Sequence, residues 1–317
     1  MQLLRIFLFA CLALITGTTF AADQKHIQLI TWRGMTSAEQ GFLSRLAEHG
    51  LQAKYDHFDA GRSETKLAGF LRANRSELEK RDLIYTFGTT ATLTVKNFDM
   101  EGVPTVFNIV SDPIGSGITL SMEMPTGGIT GAKLSLSAEV ILQLLEQVHP
   151  YTTVAILFDP RETNSTVEAD KATVLLEILE KRPIRLRYIP DVENSMETLR
   201  MLKADLAAAD VIYVTSSSSF TSPSDVLRKI LPDDKVSVSS SPALVDLGGT
   251  IAFGENYWER GEAAADLAAK ILLGEHSPGD IPINEIKANE SVAFINESSP
   301  LKDKLDLSAF SGRVEYR

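Results

Sequence analysis

Short apolar runs alternate with amphipathic segments along the whole chain, the pattern of an α/β protein built on parallel sheets. The runs Ile27–Trp32, Ala53–His57, Leu83–Phe87 and Thr105–Val110 predict strands in the first half. Val154–Phe158, Ile184–Ile189, Val211–Thr215, Val236–Ser239 and Thr250–Phe253 predict strands in the second. Helix starts carry capping chemistry: Thr36 with Glu39, Ser165 with Glu168, Asn194 with Glu197, and Ser222 with Pro223 at the first helical position. Ala263, Leu267, Ala268, Ile271 and Leu272 give a late helix a buried stripe. Met124-Pro125-Thr126-Gly127-Gly128 breaks the pattern in the middle and predicts a crossover.

Two stretches resemble one another. Asp82-Leu83-Ile84-Tyr85-Thr86-Phe87-Gly88-Thr89-Thr90 recurs loosely as Asp210-Val211-Ile212-Tyr213-Val214-Thr215-Ser216-Ser217-Ser218. Each is a continuous apolar run, as a strand buried on both faces requires, then a hydroxyl-rich turn that can open a helix. A unit of this kind in both halves implies two similar lobes with small polar groups at facing edges, a form suited to gripping a small ligand.

The first residues stand apart. Arg5, the apolar Ile6–Ile15 and the small residues around Thr19-Phe20-Ala21 form a cleavable signal segment, with cleavage expected after Ala21. The apolar stretch is shorter than the ~20 residues a membrane span needs. Cys11, the chain's one cysteine, lies inside it, so neither a disulfide nor a thiolate–metal site is expected in the mature protein. Burial must hold the fold together, and roughly 295 mature residues suffice, since a chain of this size buries about 75% of its surface. The net charge of −11 has no basic run to offset it, which argues against nucleic acid and direct membrane binding.

Several chemistries lack their motifs. Gly115-Ser116-Gly117 has no third glycine three residues on, and Gly127–Lys133 lacks phosphate-loop spacing. His26, His49, His57, His149 and His276 are scattered, so no metal site is expected. No Gly-x-Ser-x-Gly elbow exists, although His57 and Asp59 leave a hydrolase as a remote reading. What remains is hydroxyl and amide side chains after strands: Thr89 and Thr90, Asn164 and Ser165, Ser217 and Ser218. In open sheets ligands settle outside the carboxyl ends of strands, and helix N-termini there offer N–H donors to an anion. Trp32, ending the first strand, is the candidate aromatic surface.

One block is more specific. Val103-Pro104-Thr105-Val106-Phe107, followed by Ser111-Asp112-Pro113-Ile114-Gly115-Ser116-Gly117, resembles the ABC-transporter substrate-binding family, which carries Ile-Pro-Ile-Val-Phe and then Asp-Pro-Val-Gly-Ser-Gly. Pro125–Gly131, Asp159–Ser165 and Phe253–Gly261 are similar to three further segments of that family. The likeness runs from about Asp82 to Leu273 and departs over the first 60 mature residues, where His49-Gly50-Leu51-Gln52 replaces the family's turn. It implies a type I periplasmic-binding fold of two doubly wound Rossmann-like lobes joined by hinge strands. Residues 22–125 plus about 254–280 would form lobe 1, and 126–253 plus about 281–317 lobe 2.

The resemblance also implies a non-catalytic solute-binding component of an ABC uptake transporter, periplasmic or secreted, working with permease and ATPase subunits. The expected ligand is a small polar organic solute, with an amino acid as one candidate, for family members that bind aromatic amino acids share these motifs. Trp32, Thr89 and Thr90 would act from one lobe, and Asn164, Ser165, Ser217 and Ser218 from the other. Asp112 and Asn256 would complete the pocket near the hinge. Asn256 stands where many relatives carry Asp, which removes one counter-charge for a ligand ammonium. A sensor feeding a receptor or histidine kinase would use the same closed form.

Overall fold

A computed structural model of the chain describes residues 24–100, 102–134, 136–190, 192–220 and 226–317. The expected signal segment and the Ser222–Pro223 cap lie outside the described residues. Two sheets organise the chain. The first takes β1 (Lys25–Thr31), β2 (Ala53–Asp59), β3 (Leu83–Phe87), β4 (Thr105–Val110) and β5 (Ile129–Lys133) in the order β2-β1-β3-β4-β5, all parallel. Helices α1 (Ser37–Glu48), α2 (Glu64–Leu78) and α3 (Thr89–Phe98) connect these strands.

The second sheet holds β6 (Thr153–Phe158), β7 (Arg182–Arg187), β8 (Val211–Val214), β9 (Val236–Ser239), β10 (Ile251–Gly254), β11 (Val292–Ile295) and β12 (Arg313–Tyr316). Their order is β12-β11-β10-β9-β8-β6-β7, and the β10–β11 pair alone is antiparallel. Helices α4 (Ala138–Val148), α5 (Thr163–Ile178), α6 (Met196–Ala207), α7 (Val226–Ile230), α8 (Ala243–Asp246) and α9 (Tyr257–Leu272) complete the chain. Separate apolar cores cover the two faces of this sheet, one against α4 and α5 and one against α6 and α7. This is the two-lobed α/β architecture expected of a type I binding fold.

The internal likeness has a physical basis. β3 and β8 are interior strands whose residues are buried throughout. Asp82 and Asp210 each fasten the start of the neighbouring strand: Asp82 accepts from His26 N at 2.7 Å, Asp210 from Thr153 N at 2.8 Å. The Thr153 and Thr152 amides hold the Asp210 carboxyl below its ordinary pKa. Three residues on, Tyr85 donates to Glu39 on α1 at 2.9 Å, and Tyr213 donates to Glu168 on α5 at 3.3 Å. The repeated letters therefore mark the same tie between strand, neighbouring strand and helix in each lobe.

Three crossings join the lobes, after β5, after β10 and after α9. Lys133 N donates to Asn284 O at 2.8 Å, and Asn284 N to Gly131 O at 2.9 Å, so the first and third crossings run together. Arg260 lies buried among them, donating to Lys133 O at 3.1 Å and pairing with Glu255. α9 packs on α1, and the contact needs a glycine, because a Cβ on Gly261 would stand 2.0 Å from Ala38 O. Ala264, Ala265 and Ala268 bury into the first core there.

Four details differ from the sequence expectations. β5 joins the first sheet, although the boundary at residue 125 placed it with lobe 2; its Thr-Gly-Ala composition reads as turn, not strand. Glu162, not Ser165, stands at the N-cap of α5, and Ser165 sits within the first helical turn. Ser195, not Asn194, caps α6 by accepting from Thr198 N at 3.2 Å. The buried stripe of α9 is rotated, with Ala263 and Ile271 only partly covered.

Candidate functional site

The carboxyl ends of strands from both sheets open onto one cleft between the lobes. On the first lobe, the end of β1 supplies Trp32 and Arg33, the end of β3 supplies Phe87 and Gly88, and the start of α3 supplies Thr89 and Thr90. Ile109 comes from the end of β4, while Leu134 and Tyr257 come from the crossings. On the second lobe stand Glu162 and Asn164 at the start of α5, Ser216, Ser217 and Ser218 after β8, and Ser241 after β9.

The two walls differ in chemistry. The first is mostly apolar and aromatic but contains a helix start. Gly88 occupies φ +91°, a region open to glycine, and offers no side-chain cap. The first amides of α3 therefore face the cleft with their share of the helix dipole, suited to a carboxylate. Phe87 and Tyr257 meet edge to face at 6.0 Å, and the Arg33 guanidinium lies 5.6 Å and 5.7 Å from their ring centres. Arg33 also donates to Tyr257 Oη at 3.0 Å.

The second wall is a braced layer of hydroxyls. Asn164 Nδ2 donates to Ser216 O, and Ser216 Oγ meets Ser240 Oγ. Ser217 Oγ lies 2.6 Å from Ser219 Oγ, which donates to Asp159 at 2.9 Å. Burial works to raise the Asp159 pKa, but the Arg161 fork and Ser219 outweigh it and bring the carboxyl below its ordinary value. Glu162 accepts from Ser218 N at 2.9 Å and from the Ser218 hydroxyl. Burial pushes its carboxyl up, with the Ser218 bonds and Arg62 opposing.

Three buried polar atoms on the lining have no hydrogen-bond partner among the described residues: Trp32 Nε1, Thr89 Oγ1 and Ser241 Oγ. Orphaned buried polar atoms are rare in folded proteins, and each such loss costs about 1–3 kcal/mol. Their convergence on one cavity from both lobes marks a place for a ligand's polar groups.

Of the residues singled out in the sequence, Trp32, Thr89, Thr90, Asn164, Ser217 and Ser218 line this cavity together. Ser165 does not. It is wholly buried beneath the wall, accepting from Asp159 N at 2.9 Å and meeting Thr215 Oγ1 at 2.6 Å. Asp112 is turned away to shape its own turn, accepting from Gly115 N at 2.8 Å, and pairs with Lys171 on α5. Asn256 caps α9, accepting from Glu259 N at 2.8 Å. Glu162 went unmarked because nothing in the sequence says that the Asp159–Asn164 turn faces inward. Ser241 belongs to a serine run at a strand end and could have been found by the rule that found Ser217.

His57 and Asp59 serve local structure. His57 Nε2 lies 2.8 Å from Thr31 Oγ1, and burial lowers its pKa. Asp59 accepts from the amides of Gly34 and Gly61 at 2.8 and 2.9 Å. Among the described residues no cluster of three or more His, Cys, Asp or Glu could hold a metal ion, and no helix is long and apolar enough to cross a membrane.

Residues 26–308 match the family described as ABC transporter substrate binding protein. A tyrosine-binding protein of Clostridioides difficile is 25% identical over 295 residues, covering 89% of this chain and 81% of that protein. The structure of an ABC domain in complex with L-Trp from Streptococcus pneumonia superposes with a TM-score of 0.77 at 20% identity, covering 92% of this chain and all of that one. A conserved domain protein from Vibrio cholerae superposes with a TM-score of 0.79 at 18% identity, covering 93% of this chain and all of the other.

Proposed function

Because this chain belongs to the ABC transporter substrate-binding protein family, we propose that it captures a zwitterionic amino acid with a large apolar side chain and presents it to an ABC permease. Proteins of this family act outside the cytoplasm as binding components of ABC transporters and are not enzymes. The finer reading places the mature protein in the periplasm after loss of residues 1–21, with a membrane permease and a cytoplasmic ATPase as its partners.

The observation that carries the ligand class is the set of orphaned polar atoms across the cleft, Trp32 Nε1 and Thr89 Oγ1 facing Ser241 Oγ. The ligand's carboxylate would take the bare start of α3 with Thr89. Its ammonium would meet Glu162, since Asn256 is occupied with capping. Its side chain would lie against Trp32, Phe87 and Ile109. The relatives support an aromatic side chain, one being named for tyrosine and another holding tryptophan.

Dipole and hydrogen bonds alone would not suffice. A helix start contributes about 0.3–2 kcal/mol, against about 8 kcal/mol for micromolar binding, so enclosure and apolar burial must supply the rest. The test is thermal unfolding of the mature protein against a panel of the common amino acids and small metabolites. A solute at about 100 times its dissociation constant adds about 2.7 kcal/mol of stability, a shift of several degrees. An amino acid with a large apolar side chain should give the largest shift, and no shift from any solute would overturn the reading.

A further inference from the structure

Ile109 has a backbone that an isoleucine should avoid. Its φ is +56°, while its side chain is 6% exposed and lines the cleft. A β-branched residue in the left-handed region is a true outlier, strained by its Cβ against the carbonyl oxygen. Among the described residues the other non-glycine residues with positive φ are Arg62, Asp99 and Glu180, each at a turn or helix end. Ile109 lies in a strand instead. There the pairing of β4 with β5 shifts register between Asn108 and Val110, which makes Ile109 the extra residue of a bulge. Bulges re-aim side chains, and this one turns an isoleucine toward the cavity.

A buried chain of hydrogen bonds holds the bulge. Asn108 Oδ1 accepts from Ile109 N at 2.9 Å, and Asn108 Nδ2 donates to Tyr85 Oη at 3.1 Å. Tyr85 donates to Glu39 Oε1 at 2.9 Å, and Glu39 Oε2 closes the capping box of α1 on Thr36 N at 2.7 Å. Asn108 O accepts from Gly88 N at 3.0 Å, tying the bulge to the start of α3. Glu39, Tyr85 and Asn108 are wholly buried. Strain of this kind persists where the surroundings over-determine it, and it gathers at ligand sites.

We propose that Ile109 is a specificity-determining residue, an apolar wedge that sets the room for the ligand's side chain, with Asn108, Tyr85 and Glu39 as positioning residues that keep it in its left-handed conformation. This rests on the reading of the cleft as an amino-acid site. Removing part of the wedge enlarges the space beside Phe87 and Leu134, so ligands of different size should respond unequally. A mere packing role would weaken all of them alike.

Titration calorimetry of the mature wild type and of Ile109→Val, Ile109→Ala, Ile109→Gly and Tyr85→Phe with L-tryptophan, L-tyrosine, L-phenylalanine and L-leucine tests this, together with their ligand-free melting. One methylene in an apolar pocket is worth roughly 10-fold or more in discrimination. Ile109→Val and Ile109→Ala should therefore shift the affinity ratios among the four ligands toward the largest by roughly that factor. Tyr85→Phe, which leaves the lining intact, should shift them the same way by a smaller factor, roughly 2-fold or more. Ile109→Gly should melt no lower than Ile109→Ala, reversing the usual order because glycine alone relieves the strain.

Should the two smaller variants fail to fold, Ile109→Val and Tyr85→Phe decide. Unchanged ratios in every folded variant, or an alanine variant that melts above the glycine one, overturn the proposal while leaving amino-acid binding intact. A wild type that binds none of the four overturns the amino-acid reading itself, and the proposal with it.

Discussion

Glu162 lies at the start of α5 with its carboxylate against the Ser218 amide and hydroxyl, facing the cleft beside Asn164. Burial raises its pKa above the ordinary carboxyl value, Asp159 adds to the rise, and Ser218 and Arg62 oppose it. A raised pKa means that the folded protein holds the proton more tightly than the unfolded chain. The stability this group contributes is complete below about pH 4.3 and is lost as pH rises through its raised value. Glu162→Gln keeps an acceptor for Ser218 and removes the buried charge. The variant's ligand-free melting temperature should equal or exceed wild type at pH 7.5, and the gap should vanish toward pH 4. Its affinity for the amino acid should fall roughly 10- to 100-fold, since a hydrogen bond to a charged group is worth about 1.5–3 kcal/mol. Calorimetry showing affinity within twofold of wild type would remove Glu162 as the ammonium partner. At this scale the sequence was only half legible: Trp32, Thr89, Thr90, Asn164, Ser217 and Ser218 follow from strand ends and hydroxyls. Ile109 follows from neither, because its place in the lining depends on a bulge that no residue type announces.

Helix α5 is the element that joins wall to wall. Asn164, Val167 and Lys171 recur at helical spacing on one face, and all three look toward the first lobe. Asn164 lines the cleft, Val167 packs on Gly115, and Lys171 pairs with Asp112 in the turn after β4. Opening the cleft would separate Asp112 from Lys171, so the pair favours the closed form without touching ligand. The lysine is 41% exposed at its side chain, which limits the contribution to about 0.2–1 kcal/mol. Lys171→Met keeps the aliphatic stem. It should weaken ligand binding by up to about 5-fold at low salt and by less at high salt, where the pair is already screened. Equal affinity of variant and wild type at low ionic strength would deny the pair that role. The strands were legible where burial on both faces forces a run of apolar and small polar residues without charge, and Leu83–Phe87, Thr105–Val110 and Val236–Ser239 match residue for residue. β5, β11 and β12 were not predicted as strands: β5 is rich in small residues, β12, Arg313–Tyr316, is a half-exposed edge strand, and β11, Val292–Ile295, is a buried apolar run that went unmarked.

The whole molecule divides labour between its sheets. The first presents an aromatic and aliphatic face with one helix start, the second a braced layer of hydroxyls with one carboxylate, and three crossings bring them together around Arg260. The pairing of β3 with β8 by sequence likeness was legible because the same two ties recur in both lobes, an aspartate to the neighbouring strand and a tyrosine to a helix glutamate. The packing of the crossings around Arg260 was not legible, because hinge geometry is set by contacts among residues far apart in sequence. A ligand that touches both walls shifts the lobes toward closure by its differential affinity for the closed form. The most direct measurement is a crystal structure of the mature protein with its best-stabilising amino acid. The carboxylate should lie at Thr89 and the start of α3, the ammonium at Glu162, and the side chain between Trp32 and Ile109. A ligand held by one lobe alone, or bound outside this cleft, would contradict it.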